Sequence, residues 1–234
     1  MTEGAPVSTG SPAIDAILDG GLDRRAITQV YGPPAAGKST FAMASAVAVA
    51  ATGATAAYID TEGLSLDRLE QIAMARTDGP VDPVLDRVMV SSAADFDEQA
   101  DRLRETASVA DGLDLVVIDS ATALYRVRLA EEGEDSDALD RLADQLAFLL
   151  GLARRYELAV FLTNQVFTDP DADAIRPLGG ETLAHWSSTI ARLDRFRGSR
   201  RRLSLEKHRG ELVDDAILLE LVDGGFDGLD MPSP

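Results

Sequence analysis

The chain has 234 residues, 40 acidic side chains against 22 basic ones, a formal net charge of −18 and no cysteine. That length suits one α/β domain with a sizeable core, and the lack of cysteine excludes a disulfide framework and a thiolate metal site. No apolar run approaches the roughly 20 residues of a membrane span, and residues 1–10 lack a basic-then-apolar signal pattern, so a cytoplasmic protein with no membrane partner is expected.

Residues 8–12 (Ser-Thr-Gly-Ser-Pro) open a short helix, with Ser11 as its cap and Pro12 in its first position. Ile14, Ile17 and Leu18 give it an apolar face, and Gly20-Gly21 end it. Residues 26–31 read as a buried strand. Gly32-Pro33-Pro34-Ala35-Ala36-Gly37-Lys38-Ser39-Thr40 follows and fits G-x-x-x-x-G-K-[ST], the phosphate loop of P-loop NTPases. Glycines let successive N–H groups turn inward onto phosphate oxygens. Lys38 can reach the β and γ phosphates, Ser39 can ligate Mg2+, and the alanine-rich helix over 41–51 adds the positive end of its dipole. Strand, loop and helix stand in the order that a nucleotide site requires.

Residues 54–60 form a second strand, running into Thr61-Glu62-Gly63. A helix over 65–75 shows Leu66, Leu69, Ile72 and Ala73 on one face. Residues 77–83 read as a loop, 88–90 as a brief strand and 96–109 as a charged helix. Residues 113–120 are near-continuously apolar and end in an acid, as a central parallel strand does. The longest helix spans 135–156, where Leu139, Leu142, Leu146, Leu149 and Leu150 make a stripe too short for a zipper and suited to a core. Residues 159–164 give the next central strand. Beyond a loop rich in Asp and Pro, residues 188–196, 200–208 and 216–222 look like consecutive strands, an antiparallel extension of a parallel sheet. Residues 223–234 read as a loose tail. One domain is expected over 1–234, with its core at about 8–222.

Asp119 ends an apolar strand, where the second acid of an NTPase holds Mg2+ through water. Glu62 lies just beyond another strand, where a carboxylate can orient and deprotonate a water; a solvated acid at a strand end is the other reading. Gln165 closes a third strand, where its amide could sense the γ-phosphate.

At these residues the chain resembles the RecA-type recombinases, and among them the archaeal members. The resemblance runs from about Ser8 to about Gly210. It is carried by Ser8-Thr9-Gly10-Ser11 with Ile14-Asp15, by Tyr58-Ile59-Asp60-Thr61-Glu62-Gly63, and by the run from Val117-Ile118-Asp119-Ser120 to Tyr125-Arg126. Leu162-Thr163-Asn164-Gln165-Val166 and Pro177-Leu178-Gly179-Gly180 with Ala184-His185 complete it. The resemblance implies a RecA-like P-loop NTPase core, a mostly parallel central sheet flanked by helices with antiparallel strands at its C-terminal end. It assigns Lys38 and Ser39 to phosphate and Mg2+, Glu62 to water activation, Asp119 to Mg2+, Gln165 to coupling nucleotide state with DNA contact, and Arg68 to packing on adenine. His185 matches a histidine near the second DNA-binding loop; a core-facing or capping imidazole is the other reading. ATP and Mg2+ are the implied cofactors.

Two departures bear on function. The core begins by Ser8, without the N-terminal helical DNA-binding domain of full recombinases, and residues 1–10 hold no phenylalanine to dock on a neighbouring subunit. A monomer or small homo-oligomer is therefore expected rather than a long filament. The second loop, residues 167–176, holds three acids and one arginine, a poor match to a DNA backbone. Its Asp spacing is similar to a calcium loop, but Ala174 and Gly180 stand where glycine and glutamate belong.

Against this, residues 192–209 carry a local balance of +6 on a remainder of −24. That stretch is either a footprint for nucleic acid or a solvated strand face. The DNA-contact candidates are Arg126, Arg128, Arg176, Arg195, Arg197, Arg200, Arg201 and Arg202, with Phe196, Phe167 and Tyr125 for stacking. Three functions follow. The first is an ATP- and DNA-binding paralogue that assists recombination and repair beside recombinase or other repair proteins, with weak ATPase and little or no strand exchange. The second is a true DNA-dependent strand-exchange ATPase. The third is a RecA-like switch acting on protein partners without DNA.

Only Lys38 and Lys207 are lysines, the other basic residues being arginines, and the acids are dispersed among periodic apolar segments. This composition reads as a folded protein with an acidic surface and not as a disordered tail. At about 1 M salt the Debye length is only ~3 Å, which mutes the self-repulsion of such a surface, so the chain suits a very salty cytosol. Its unfolding midpoint, followed by circular dichroism, is expected to rise between dilute buffer and molar KCl. A midpoint that stays level would remove this reading.

Overall fold

A computed structural model describes residues 4–133, 137–169 and 174–229. A nine-stranded sheet runs through it. In chain order the strands are β1 (Ile27–Tyr31), β2 (Ala56–Asp60), β3 (Val88–Ser92), β4 (Leu115–Asp119), β5 (Ala159–Asn164), β8 (Thr189–Arg195), β9 (Arg200–His208), β10 (Glu211–Val222) and β11 (Gly225–Gly228). A separate hairpin pairs β6 (Val166–Asp169) with β7 (Ala174–Pro177). The helices are α1 (Pro12–Ile17), α2 (Lys38–Ala51), α3 (Leu66–Arg76), α4 (Asp82–Leu85), α5 (Phe96–Thr106), α6 (Ala123–Glu132), α7 (Ala138–Tyr156) and α8 (Gly180–Trp186). The spatial order is β11-β10-β9-β8-β1-β5-β4-β2-β3. It is parallel from β8 to β3 and antiparallel from β8 to β11, as the mixed pattern of the sequence implies.

Side chains alternate across a strand, so the central strands feed two apolar layers. Leu115, Val117 and Phe161 join Phe41, Val47 and Leu69 on one face. Val116, Ile118, Val160 and Leu162 join Phe96, Leu142, Leu146 and Leu149 on the other. The leucine stripe of α7 is thus core packing, with Leu139 at its edge 38% exposed. Asp95 caps α5 by accepting from the N–H groups of Asp97 and Glu98, and Ser65 caps α3. No described helix is long and apolar enough to cross a membrane.

The structure departs from the sequence reading in several places. Ser11 stands at the N-cap of α1, but its hydroxyl makes no capping bond. Asp15 reaches back instead, accepting from Thr9 N (2.8 Å), Thr9 Oγ1 (2.7 Å) and Ser8 Oγ (2.6 Å). The segment read as a loop over 77–83 contains the start of α4. The Asp- and Pro-rich segment after β5 forms the β6–β7 hairpin. Its tip, residues 170–173, lies outside the described residues, as do 135–136 of the expected long helix.

The largest correction concerns the tail. Residues 225–228 pair with β10 as β11, and Phe226 is 1% exposed, its ring edge-on to Phe41 at 6.1 Å; residues 230–234 lie outside the described residues. Removing a buried phenylalanine loses transfer energy and leaves a cavity. Phe226→Ala is therefore expected to cost about 3–5 kcal/mol of unfolding free energy in a urea titration in molar KCl. A loss below about 1 kcal/mol, the size of a surface change, would make β11 peripheral.

Candidate nucleotide-binding site

Strand β1 lies between β5 and β8 and delivers the phosphate loop at the C-terminal edge of the parallel sheet, where open α/β sheets bind ligands. Gly32 passes so near β8 that a Cβ there would stand 2.1 Å from the Leu193 carbonyl oxygen. Gly37 adopts φ +108°, a left-handed value that favours glycine, and a Cβ on it would meet the Phe226 ring at 2.9 Å. Gly37 is also the N-cap of α2. It offers no capping side chain, and the first turn holds no acid. The N–H groups of Lys38, Ser39 and Thr40 are therefore open to an anion.

The cavity in front of these groups is about 400 Å3 and is lined by Gly32, Pro34, Ala35, Gly37, Lys38, Ser39, Thr40, Glu62, Arg126, Gln165, Val166 and Leu221. Pro33 and Ala36 stand behind its wall, Ala36 fully buried. Lys38 Nζ folds over the loop and donates to Gly32 O (2.9 Å) and Pro33 O (3.2 Å). Burial lowers its pKa, while Glu62 and Asp119 act in the opposite direction.

Asp119 ends β4 behind the wall, 4% exposed. Its carboxylate accepts from Tyr58 Oη (2.7 Å) and Thr163 Oγ1 (2.6 Å). Burial, then the Asp119 charge and this hydrogen bond, push the Tyr58 phenol well above its ordinary range. Asp60 shapes the turn after β2 by accepting from the N–H groups of Glu62 (3.1 Å), Gly63 (2.9 Å) and Leu64 (2.8 Å). That turn presents Glu62 to the cavity. The roles of Tyr58, Thr163 and Asp60 were not read from the sequence, although an acid two residues before Glu62 is the signature of such a turn.

Gln165 sits where β5 passes into β6. Its Nε2 donates to Glu62 Oε1 (2.5 Å), and Arg126 Nη1 approaches its Oε1 at 3.4 Å. Its backbone N–H donates to Thr122 Oγ1 (3.1 Å), and its carbonyl accepts from Leu178 N–H (2.9 Å). One residue thus touches the cavity, the start of α6 and the base of the β6–β7 hairpin.

Other expected site residues fall elsewhere. Arg68 is off the cavity wall: its guanidinium donates to Val222 O (2.9 Å) and Gln71 Oε1 (2.6 Å). Arg128 is taken up by Asp97 and by Glu132 (2.8 Å). Arg201 is buried behind the phosphate loop, so neither is free for DNA. Tyr125 is 6% exposed and packs edge-on against Phe96, which removes it as a stacking platform. Phe167 and Phe196 are exposed at 43% and 55%. Arg126 is exposed on α6 and Arg176 on β7, while Arg195, Arg197, Arg200 and Arg202 are exposed around the β8–β9 turn. His185 is exposed on α8 beside Trp186, not core-facing.

A phosphate loop on the central strand, acids on neighbouring strand ends and an antiparallel C-terminal extension define a RecA-like fold. The sequence profile of the Rad51 family matches residues 3–226, and the chain belongs to that family. Within it the similarity is to RadB proteins. The chain is 52% identical over 223 residues to the DNA repair and recombination protein RadB of Halobacterium salinarum, covering 94% of this chain and 93% of the relative. It is 42% identical over 207 residues to RadB of Methanoculleus marisnigri, covering 87% and 89%. A crystal structure of a RadB recombinase superposes with a TM-score of 0.82 at 33% identity, covering 96% of this chain and all of that one.

The paired donors on Asp119 generate a test of the site's construction. Tyr58→Phe deletes one of them and leaves a buried carboxylate oxygen short of its partner, expected to cost about 1–3 kcal/mol in urea unfolding. Unchanged stability would mean that another group satisfies Asp119.

Proposed function

We propose that this chain is an ATP- and DNA-binding recombinase paralogue that assists homologous recombination and repair, turns ATP over slowly and exchanges few strands or none by itself. The open N-terminus of α2 and Lys38 suit a triphosphate. Ser39 and the Asp119 carboxylate suit Mg2+, which would neutralise charge on the β and γ phosphates when bound. Glu62 is the base for the attacking water. The observation that carries the reading is the Glu62–Gln165 hydrogen bond at 2.5 Å. It ties the base to a residue that also anchors the β6–β7 hairpin, so a change at one is felt at the other. The same donor stabilises the charged form of the carboxylate that would take a proton from water, which weakens the base and favours slow turnover. The names of the relatives, DNA repair and recombination proteins, support the same assignment. DNA contact falls to Arg126, Arg176 and the exposed arginines of the β8–β9 turn, with Phe167 and Phe196 for stacking. Repair proteins are the expected partners in the cytoplasm, with the chain as a monomer or small oligomer.

ATP turnover and single-stranded DNA binding, measured together in molar KCl, test this reading. The unaltered chain is expected to bind both and to hydrolyse slowly. Lys38→Ala should lose ATP affinity about tenfold or more, the worth of one charge-assisted contact. Glu62→Gln should keep ATP affinity and lose turnover. Strong stimulation by DNA would instead support a strand-exchange ATPase. Absence of DNA binding, with or without ATP, would support a switch acting on protein partners.

A further inference from the structure

Arg201 is 6% exposed on β9 of a strongly acidic protein, yet all its hydrogen bonds go to main-chain carbonyls. Its Nε donates to Ala36 O at 2.7 Å, and its Nη2 lies 3.5 Å from Ala35 O. Nη1 donates to Gly198 O (3.0 Å) and Arg200 O (2.9 Å) in its own hairpin. Among the described residues no carboxylate pairs with it. Burial lowers its pKa, and the like charge of Arg195 acts in the same direction.

A buried cation without a counter-ion is costly, and hydrogen bonds to neutral groups offset only part of that cost. Here the guanidinium lies against the back of the loop whose front faces the phosphate cavity. The two loop carbonyls that it touches belong to the 35–36 and 36–37 peptide groups. A carbonyl accepting from a cation polarises its own peptide unit, so the Gly37 N–H becomes the stronger donor. We propose that Arg201 is a positioning residue of the phosphate loop, which orients these two peptide groups from behind and supplies the positive charge that a bound phosphate chain neutralises. This rests on the nucleotide-binding reading above. The ligand class is the phosphoanhydride chain itself, and the base is not involved. Lysine could supply the charge but not the planar fork that spans the loop and the hairpin at once.

Calorimetric titration of ATP and of inorganic pyrophosphate, with Mg2+ in molar KCl, tests this on the full chain. Arg201→Gln is expected to weaken both ligands about tenfold. Arg201→Lys should restore part of that loss, a recovery that a purely structural role would not give. Arg104→Gln, a surface change on α5 with the same loss of charge, should bind as the parent does. Parent-like affinity of Arg201→Gln, or of a folded Arg201→Lys should the glutamine variant not fold, would overturn the proposal. Hydrogen exchange on the unaltered chain gives an independent reading: pyrophosphate should protect residues 35–37 and 200–202 together, and protection confined to the loop would overturn it. If the parent binds neither ligand, the nucleotide-binding reading itself falls. If the parent binds and Lys38→Ala does not, while Arg201→Gln matches the parent, only the role of Arg201 falls.

Discussion

The phosphate loop can occupy its position because Gly32 passes the Leu193 carbonyl with no side chain of its own. Any Cβ there would enter the oxygen of β8, and β1 could not then lie between β5 and β8 in register. From that contact the rest of the seat follows. Leu193 stands beside the loop, Phe226 beneath Gly37, and Arg201 behind Ala35 and Ala36. Leu193 comes from β8, where the parallel sheet meets its extension, and the other two come from the antiparallel strands β9 and β11. The extension that looks accessory in the strand order therefore shapes the backbone that would meet phosphate.

Much of this was legible from residue order. Strand, glycine-bounded loop and helix in succession, an apolar run ending in Asp119, and Glu62 two residues past a strand each point to one place at the sheet edge. What escaped reading has physical causes. Strand β11 is four residues with one large apolar side chain, Phe226, between glycines and acids, so it offers no alternation to detect. The hairpin after β5 is built of residues favouring turns, and its strands show only when paired. The run Arg200-Arg201-Arg202 looks uniform, but a strand turns alternate residues to opposite faces, and only the middle one is buried. Ser11 has the type and position of a cap but makes no capping bond, and Asp15, from inside the helix, ties down Thr9 ahead of it.

The surface charge resolves in a similar way. The excess of arginine over 192–209 contracts once pairing is known. Arg192 meets Asp194, Arg209 meets Asp19 and Asp23, and Lys207 donates to the carbonyls of Ala184 and Ser187. Arg128 and Arg141 share Asp97, holding its carboxyl below the usual range, the hydrogen bond from Arg141 first. Such exposed pairs contribute little free energy each, less in high salt. Their consequence here is subtraction: within 192–209 they remove arginines from the set that could meet a polyanion and leave a small cluster at the β8–β9 turn. The relative in Halobacterium fits the salt-adapted composition.

The placement of Phe226 has a consequence for how the molecule comes into being. A ribosome releases residues 32–40 early, whereas the Leu193 carbonyl and the Arg201 and Phe226 side chains against which they rest arrive much later in the chain. Pairings between segments so distant in the chain are slow to close, and unfinished sheets of this type are prone to stray association. The last of these contacts forms only once β11 has been made, so the seat of the glycine loop is completed late in the synthesis of the chain.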